Sequence, residues 1–221
     1  MSGHLRSLAI VIAICVAGGL LAPTLQRSDV RAAPEAAKIP SIRPAAAIHP
    51  SSSGPRIWYA AGHYPELSLP DGRREVVHSV LNIAKPMHFG DFVWNDERIP
   101  QGRVWVRVDL DRQILSVFRD GHEIGSAVVL YGGEKYATPA GSFTILRKDQ
   151  HYYSHTYDAP MPYALRLTDD GVAIHGSSVR EGWATHGCIG IPLEFARLLF
   201  AVANKGDRVV VLSGQSGQKK T

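Results

Sequence analysis

Cysteine is nearly absent from this chain: its 221 residues hold two, Cys15 and Cys188. Cys15 lies inside an N-terminal apolar run, so the remainder carries a single thiol and cannot close an internal disulfide. Clustered charge of one sign is also missing. Lys and Arg number 24 against 20 Asp and Glu, for a formal net charge of +4. So even a balance, with no basic run longer than a pair such as Lys219-Lys220, argues against a nucleic-acid partner, which calls for a basic stripe on one face. No long hydrophobic run exists either. The uncharged stretch from Leu8 to Ala22 falls short of the roughly 20 residues of a comfortable membrane span.

That stretch has a different use. His4 and Arg6 precede it, and Val30-Arg31-Ala32 places small residues where an export peptidase cuts, before Ala33. The pattern predicts a signal peptide over 1–32, with an uncleaved N-terminal anchor as the other reading; only this segment would then touch a membrane. Residues 23–56 are rich in Ala, Pro and Ser without a period, and read as a flexible spacer. Glu75–Ala84 carries Val76, Val77, Val80, Leu81 and Ile83, enough for a short amphipathic helix or strand.

From Arg103 the pattern turns to β. Val104, Val106, Val108 and Leu110 alternate with Trp105, Arg107 and Asp109, the period-2 signature of a strand. Ile114–Arg119 and Glu123–Val129 follow, joined through Asp120-Gly121, a dipeptide suited to the positive φ of tight hairpins. Ser142–Arg147 and Tyr163–Leu167 read as strands, and Asp170-Gly171 turns the chain into Val172-Ala173-Ile174, which ends on His175. Pro192 opens a helix with Phe195, Leu198, Leu199 and Val202 on one face, and Gly206 is the candidate left-handed cap. Val209–Leu212 is a last strand. The sum is mainly β, a sandwich or barrel-like domain with one packed helix.

Chemistry concentrates in two segments, Ile174-His175-Gly176 and Thr185-His186-Gly187-Cys188-Ile189-Gly190. A thiol of ordinary pKa is only a few per cent ionised at neutral pH. An imidazole within reach can take its proton and return it to a leaving amine, and Gly187 lets backbone approach a substrate carbonyl. The residues alone leave three readings open: an inert buried cysteine, a zinc site on His175, His186 and Cys188 that lacks an evident fourth ligand, or a nucleophile.

The stretch from Val104 to Leu212 resembles the L,D-transpeptidase catalytic domain, YkuD. The resemblance is carried by Thr138-Pro139-Ala140-Gly141-Ser142-Phe143, Met161-Pro162-Tyr163, Ile174-His175-Gly176 and Thr185-His186-Gly187-Cys188-Ile189. The last two, in this order, are the specific ones; Thr-Pro-x-Gly alone is a generic turn. The resemblance implies a catalytic domain over 103–213, after a linker and small N-terminal segment over 33–102 and before a flexible tail over 214–221. It implies Cys188 as nucleophile, His175 as general base and acid, and the Gly176 carbonyl as orienter of that imidazole. His186 and Gly187 would shape the pocket, with backbone N–H groups at Gly187 and Cys188 as oxyanion donors. Thr185, Trp183 and Tyr163 are candidate substrate contacts. The implied substrates are peptidoglycan stem peptides, with a second stem or an envelope protein as amine acceptor, outside the cytoplasm in the periplasm or cell envelope; the alternatives are a hydrolytic L,D-carboxypeptidase or amidase with the same nucleophile, and a non-catalytic peptidoglycan-binding module. The resemblance calls for no metal or organic cofactor.

Three departures stand out. Many relatives carry Arg or Asn two residues after the cysteine, where this chain has Gly190; the loop from His175 to Thr185 is short; and no peptidoglycan-binding repeat precedes the domain. The cluster His151, Tyr152, Tyr153, His155 and Tyr157 reads as a solvated or lid loop. Asp169-Asp170 reads as turn chemistry, Trp58, Trp94 and Trp105 as packing residues, and Arg166 and Arg180 as solvated surface charges, with a stem carboxylate as their other reading.

Overall fold

A computed structural model describes residues 54–213. The signal segment, most of the spacer and the tail lie outside them. Among the described residues no helix is long and apolar enough to cross a membrane. Five short strands come first: β1 (Arg56–Trp58), β2 (Glu66–Ser68), β3 (Arg74–Val76), β4 (Ser79–Leu81) and β5 (Phe92–Trp94). Then follow β6 (Val104–Asp109), β7 (Ile114–Arg119), β8 (His122–Val128), β9 (Gly141–Thr144), β10 (Arg147–Ser154), β11 (Ala159–Arg166), β12 (Ala173–Ser177), β13 (Ile189–Pro192), the helix α1 (Leu193–Val202) and β14 (Arg208–Leu212).

The larger sheet runs β1-β4-β8-β7-β6-β14-β9, with β5 also paired to β8. Its centre is the β6–β7–β8 meander. Asp120 and Gly121 both adopt positive φ, 49° and 79°, the pair of angles a two-residue type I′ turn requires. Alternation in β6 suggests a half-buried strand, yet both faces are covered. Val104, Val106 and Val108 enter the main core. On the other face Trp105 stacks on Phe118, centroids 4.6 Å apart, under Leu69 and Val77 from the preceding segment. Trp94 packs edge-on against Phe195, while Trp58 stays half exposed.

A second sheet, β10-β11-β12-β13, carries the chemistry. Helix α1 packs between the sheets through Phe195, Ala196 and Leu199, with Ile174, Ile189 and Ile191 opposite. Each such buried aliphatic or aromatic side chain contributes about 1.5–3 kcal/mol.

Several elements differ from the sequence expectation. Ser142–Arg147 is not one strand. β9 pairs with β14, then Ile145 donates to Asp207 O and Leu146 to Arg166 O, so the chain changes sheets between these two residues. The His151–Tyr157 cluster is strand up to Ser154, held to β11 by antiparallel pairing. Its half-exposed position leaves no apolar alternation to read. Glu75–Ala84 is two short strands, not a helix. Helix α1 ends at Ala203 in an extended conformation; Gly206, φ 91°, belongs to the next turn and donates to Ile145 O at 2.9 Å.

Candidate active site

Parallel pairing of β12 with β13 sets Ile174 beside Ile189 and His175 beside Gly190. One step back along both strands puts Ala173 beside Cys188. Because paired residues share a face and faces alternate, Cys188, Ala173 and His175 lie on the same side of the sheet, away from α1. Cys188 and His175 are diagonal neighbours there, roughly 8 Å between Cα atoms for strands about 4.8 Å apart rising about 3.3 Å per residue.

Both groups are recessed at 9% exposure. Burial pulls the His175 imidazole below its ordinary range, against a smaller opposing effect of the Gly176 carbonyl. That carbonyl lies 3.0 Å from Nδ1. It therefore holds the proton on Nδ1 and leaves the Nε2 lone pair free to accept another. Burial pushes the Cys188 thiol up, offset in part by the Ala173 N–H and the charge of Arg166. The thiol donates to Gly171 O at 3.7 Å, so it rests as a neutral S–H turned toward the β11–β12 turn.

Cys188 opens into a groove of about 460 Å³. Tyr152, Ser154, Thr156 and Tyr157 of the β10–β11 hairpin form one wall, and Tyr136, Pro139, His186 and Gly187 another. The His186 ring lies between two tyrosines, stacked on Tyr157 (4.7 Å, 17°) and tilted against Tyr136 (4.9 Å, 60°). The hairpin thus lines the groove and reaches the nucleophile-bearing segment through the Tyr157–His186 stack.

The loop bearing Cys188 is fixed by backbone chemistry. Gly187 has φ 103°, a conformation costly for any side-chain-bearing residue. The Thr185 hydroxyl donates to the Cys188 carbonyl. The Thr138 hydroxyl accepts from Gly132 N–H at 2.8 Å and donates to Gly187 O at 3.0 Å. Gly132 has no room for a side chain, since a Cβ there would sit 1.8 Å from Tyr136 O and 2.9 Å from the Gly187 backbone. Neither Thr138 nor Gly132 stood out in the sequence as part of the site; the Thr-Pro-x-Gly turn was the one signal for Thr138.

Not every candidate converges. Tyr163 points the other way, its ring against Phe200 of α1 at 5.7 Å. It takes φ 57° inside β11, which shifts the alternation by one residue: Tyr163 and Pro162 both face α1, and Met161 joins Ala173 and Cys188 on the groove side. Trp183 is 59% exposed, with the Arg180 guanidinium 5.4 Å from its ring, and lies outside the groove lining. Thr185 acts through backbone rather than lining the groove. Gly190 faces Ser177 and Leu130: a Cβ there would meet Ser177 Cβ at 3.0 Å and Leu130 Cβ at 3.5 Å. The place of a larger side chain is already filled. Among the described residues no three His, Cys, Asp or Glu side chains gather as metal ligands.

Residues 103–211 match the family model described as the L,D-transpeptidase catalytic domain, YkuD. Probable L,D-transpeptidase 3 of Mycobacterium tuberculosis is 28% identical over 101 residues, which cover 36% of this chain and 36% of that protein. The chain thus matches about a third of that relative's length. An L,D-transpeptidase structure from Stackebrandtia nassauensis superposes with a TM-score of 0.48 at 27% identity, covering 56% of this chain and 63% of that one. One from Mycobacterium smegmatis gives 0.46 at 26%, covering 50% and 58%. Through residues 103–211, this chain belongs to the YkuD family of L,D-transpeptidase catalytic domains.

Proposed function

We propose that this protein is an exported cysteine acyltransferase that acts on peptidoglycan stem peptides in the periplasm or cell envelope. The observation that carries the reading is the sheet face shared by Cys188 and His175, with Cys188 lining a groove of about 460 Å³ and His175 recessed behind that lining. The signal-like N-terminus and the substrate class together support the location.

In the proposed reaction, His175 Nε2 takes the Cys188 proton as Sγ attacks the carbonyl between an L-centre and a D-amino acid. The C–S bond forms, and the oxyanion is held by backbone N–H groups at Cys188 and Gly187. The C–N bond then breaks, and the D-amino acid leaves with the proton from His175. An amine from a second stem, or from an envelope protein, attacks the thioester and gives its proton to His175, and the thiol is restored. Since burial disfavours both thiolate and imidazolium, proton transfer accompanies attack instead of preceding it.

The test is to incubate purified protein with tetrapeptide stems and an amine acceptor and follow products by mass. Cross-linked product, a transient adduct on Cys188 and loss of both in Cys188→Ala support the reading. Shortened stems alone would replace the amine acceptor with water and make the protein a hydrolase. Full product formation by Cys188→Ala would overturn the mechanism.

A further inference from the structure

The row of residues across the second sheet that contains Cys188 also contains two arginines. Register places Arg147 of β10 beside Arg166 of β11, and Arg166 beside Ala173 of β12; Ala173 in turn adjoins Cys188. Arg166 is therefore two strands from the nucleophile on the groove face, about 10 Å at the backbone for two strand spacings, and its long side chain lines the groove.

Its guanidinium, like that of the buried Arg56, is held by backbone carbonyls and not by a carboxylate. Arg103, Arg107, Arg119 and Arg208 all pair with carboxylates. Arg166 forms no such ion pair among the described residues. Two carbonyls hold it instead: Nε donates to Thr168 O at 3.0 Å and Nη2 to Asp169 O at 2.7 Å. Carbonyls orient a guanidinium without neutralising it. Gly171 packs close, a Cβ there lying 3.9 Å from Nη2, and Gly171 O is also the acceptor of the Cys188 thiol. The turn from Thr168 to Gly171 thus holds an oriented cation, with no ion-paired carboxylate among the described residues, in the same groove lining as the reacting sulfur. Its field already pulls the thiol downward. The one carboxylate in the groove lining, Asp170, accepts a bond from the Thr168 hydroxyl.

We propose that Arg166 is the substrate-carboxylate anchor of the groove, docking a carboxylate of the acyl-donor peptide next to the scissile bond. A guanidinium matches a carboxylate through paired N–H donors, and prior immobilisation lowers the entropy cost of the contact. The identity of the donor as a stem peptide rests on the function proposed above; the anionic subsite does not.

Two alkylating agents of similar size and opposite character test it without turnover. Iodoacetate carries a carboxylate and iodoacetamide does not. Their second-order rates at Cys188 are measured by intact mass, with Cys188→Ala as background, for the native protein, Arg166→Gln and Arg166→Lys. Any change in thiolate fraction or in groove opening affects both reagents alike and cancels in the ratio. The iodoacetate-to-iodoacetamide ratio is expected to fall roughly fivefold to tenfold in Arg166→Gln, the effect of one unit charge about 5 Å away in near-aqueous surroundings. Arg166→Lys is expected to keep most of the ratio, and raising the salt concentration to shrink it in these two proteins but not in Arg166→Gln. An unchanged ratio in Arg166→Gln overturns the proposal. Where stem peptides turn over, a donor with its carboxylates amidated should lose its KM penalty relative to the acid form in Arg166→Gln; an equal penalty in both proteins counts against the anchor and leaves the acyltransferase reading intact.

Discussion

The Thr138 hydroxyl donates to the Gly187 carbonyl at 3.0 Å, which ties the Thr-Pro-x-Gly turn to the peptide unit preceding the nucleophile. That carbonyl belongs to the same planar group as the Cys188 N–H, and in a trans peptide the two point in opposite directions. Holding one aims the other. A hydrogen bond to the carbonyl also strengthens its N–H as a donor. Thr138 is thus a positioning residue for the proposed oxyanion contact.

Thr138→Val keeps the shape and removes the hydroxyl. It leaves the Gly132 N–H and the Gly187 carbonyl buried without this partner, a cost of about 1–3 kcal/mol. Turnover is expected to fall mainly in kcat, with KM little changed, and Thr138→Ser should restore most of it. If Thr138→Val loses stability in thermal unfolding but keeps its kcat, the link to the nucleophile's peptide is structural only.

Gly132→Ala tests the close approach of the two loops. Its Cβ would fall 1.8 Å from Tyr136 O and 2.9 Å from the Gly187 backbone. Backbone atoms cannot turn aside as a side chain can, so one loop must move. Overpacking of this kind costs roughly 1–3 kcal/mol or more. A lower denaturant midpoint and faster reaction of Cys188 with iodoacetamide are expected. A midpoint within error of the native value would show that the loops separate freely.

Much of this frame was legible in the sequence, and the reasons differ by element. The β6–β7–β8 meander shows because alternation and an Asp-Gly turn are local signals. The sheet change between Ile145 and Leu146 does not, because the apolar run continues through it and only partners far along the chain divide it. Cys188 and His175 stand out as residue types with chemistry. Thr138 looks like any turn threonine, since its acceptor lies 49 residues away. Tyr163 is a groove candidate through the Met161-Pro162-Tyr163 resemblance alone; its positive φ, which no residue type announces, turns it toward α1. Arg166 cannot be told from Arg180 in the sequence, as surface charge or carboxylate ligand, because only the turn from Thr168 to Gly171 sets it in the groove.

Acid should destabilise the fold in part through His175, as through His122, whose imidazole pKa burial also lowers. Burial holds the folded pKa of His175 below the ordinary value of about 6.5. The unfolded chain therefore binds this proton before the folded one does, and stability is full above about pH 6.5 and falls as pH drops through the folded pKa. Activity should persist to below pH 6.5 before its acid limb. Burial raises the Cys188 thiol, so alkylation by iodoacetamide should climb on the alkaline side of the usual thiol value, about 8.5. An alkylation rate already on a plateau between pH 5 and 7 would reveal a preformed thiolate–imidazolium pair and contradict the neutral resting state.

The hairpin contact gives the remaining prediction. Tyr157 stacks on His186 at 4.7 Å, joining the β10–β11 hairpin to the segment that carries the nucleophile. Tyr136 covers the other side of the same imidazole, so Tyr157→Ala removes one of two aromatic neighbours and leaves the ring half supported. An aromatic pair of this kind contributes about 0.5–1.5 kcal/mol beyond its area, enough to shift the docking of the hairpin by roughly twofold to tenfold. Tyr157→Ala is expected to raise KM for a stem peptide by that factor and to speed alkylation of Cys188 by iodoacetamide, with the global unfolding midpoint nearly unmoved because Tyr157 is half exposed. Tyr157→Phe keeps the ring and should behave as the native protein in both assays. Equal effects of Phe and Ala would assign the role to the phenol hydroxyl instead of the stack.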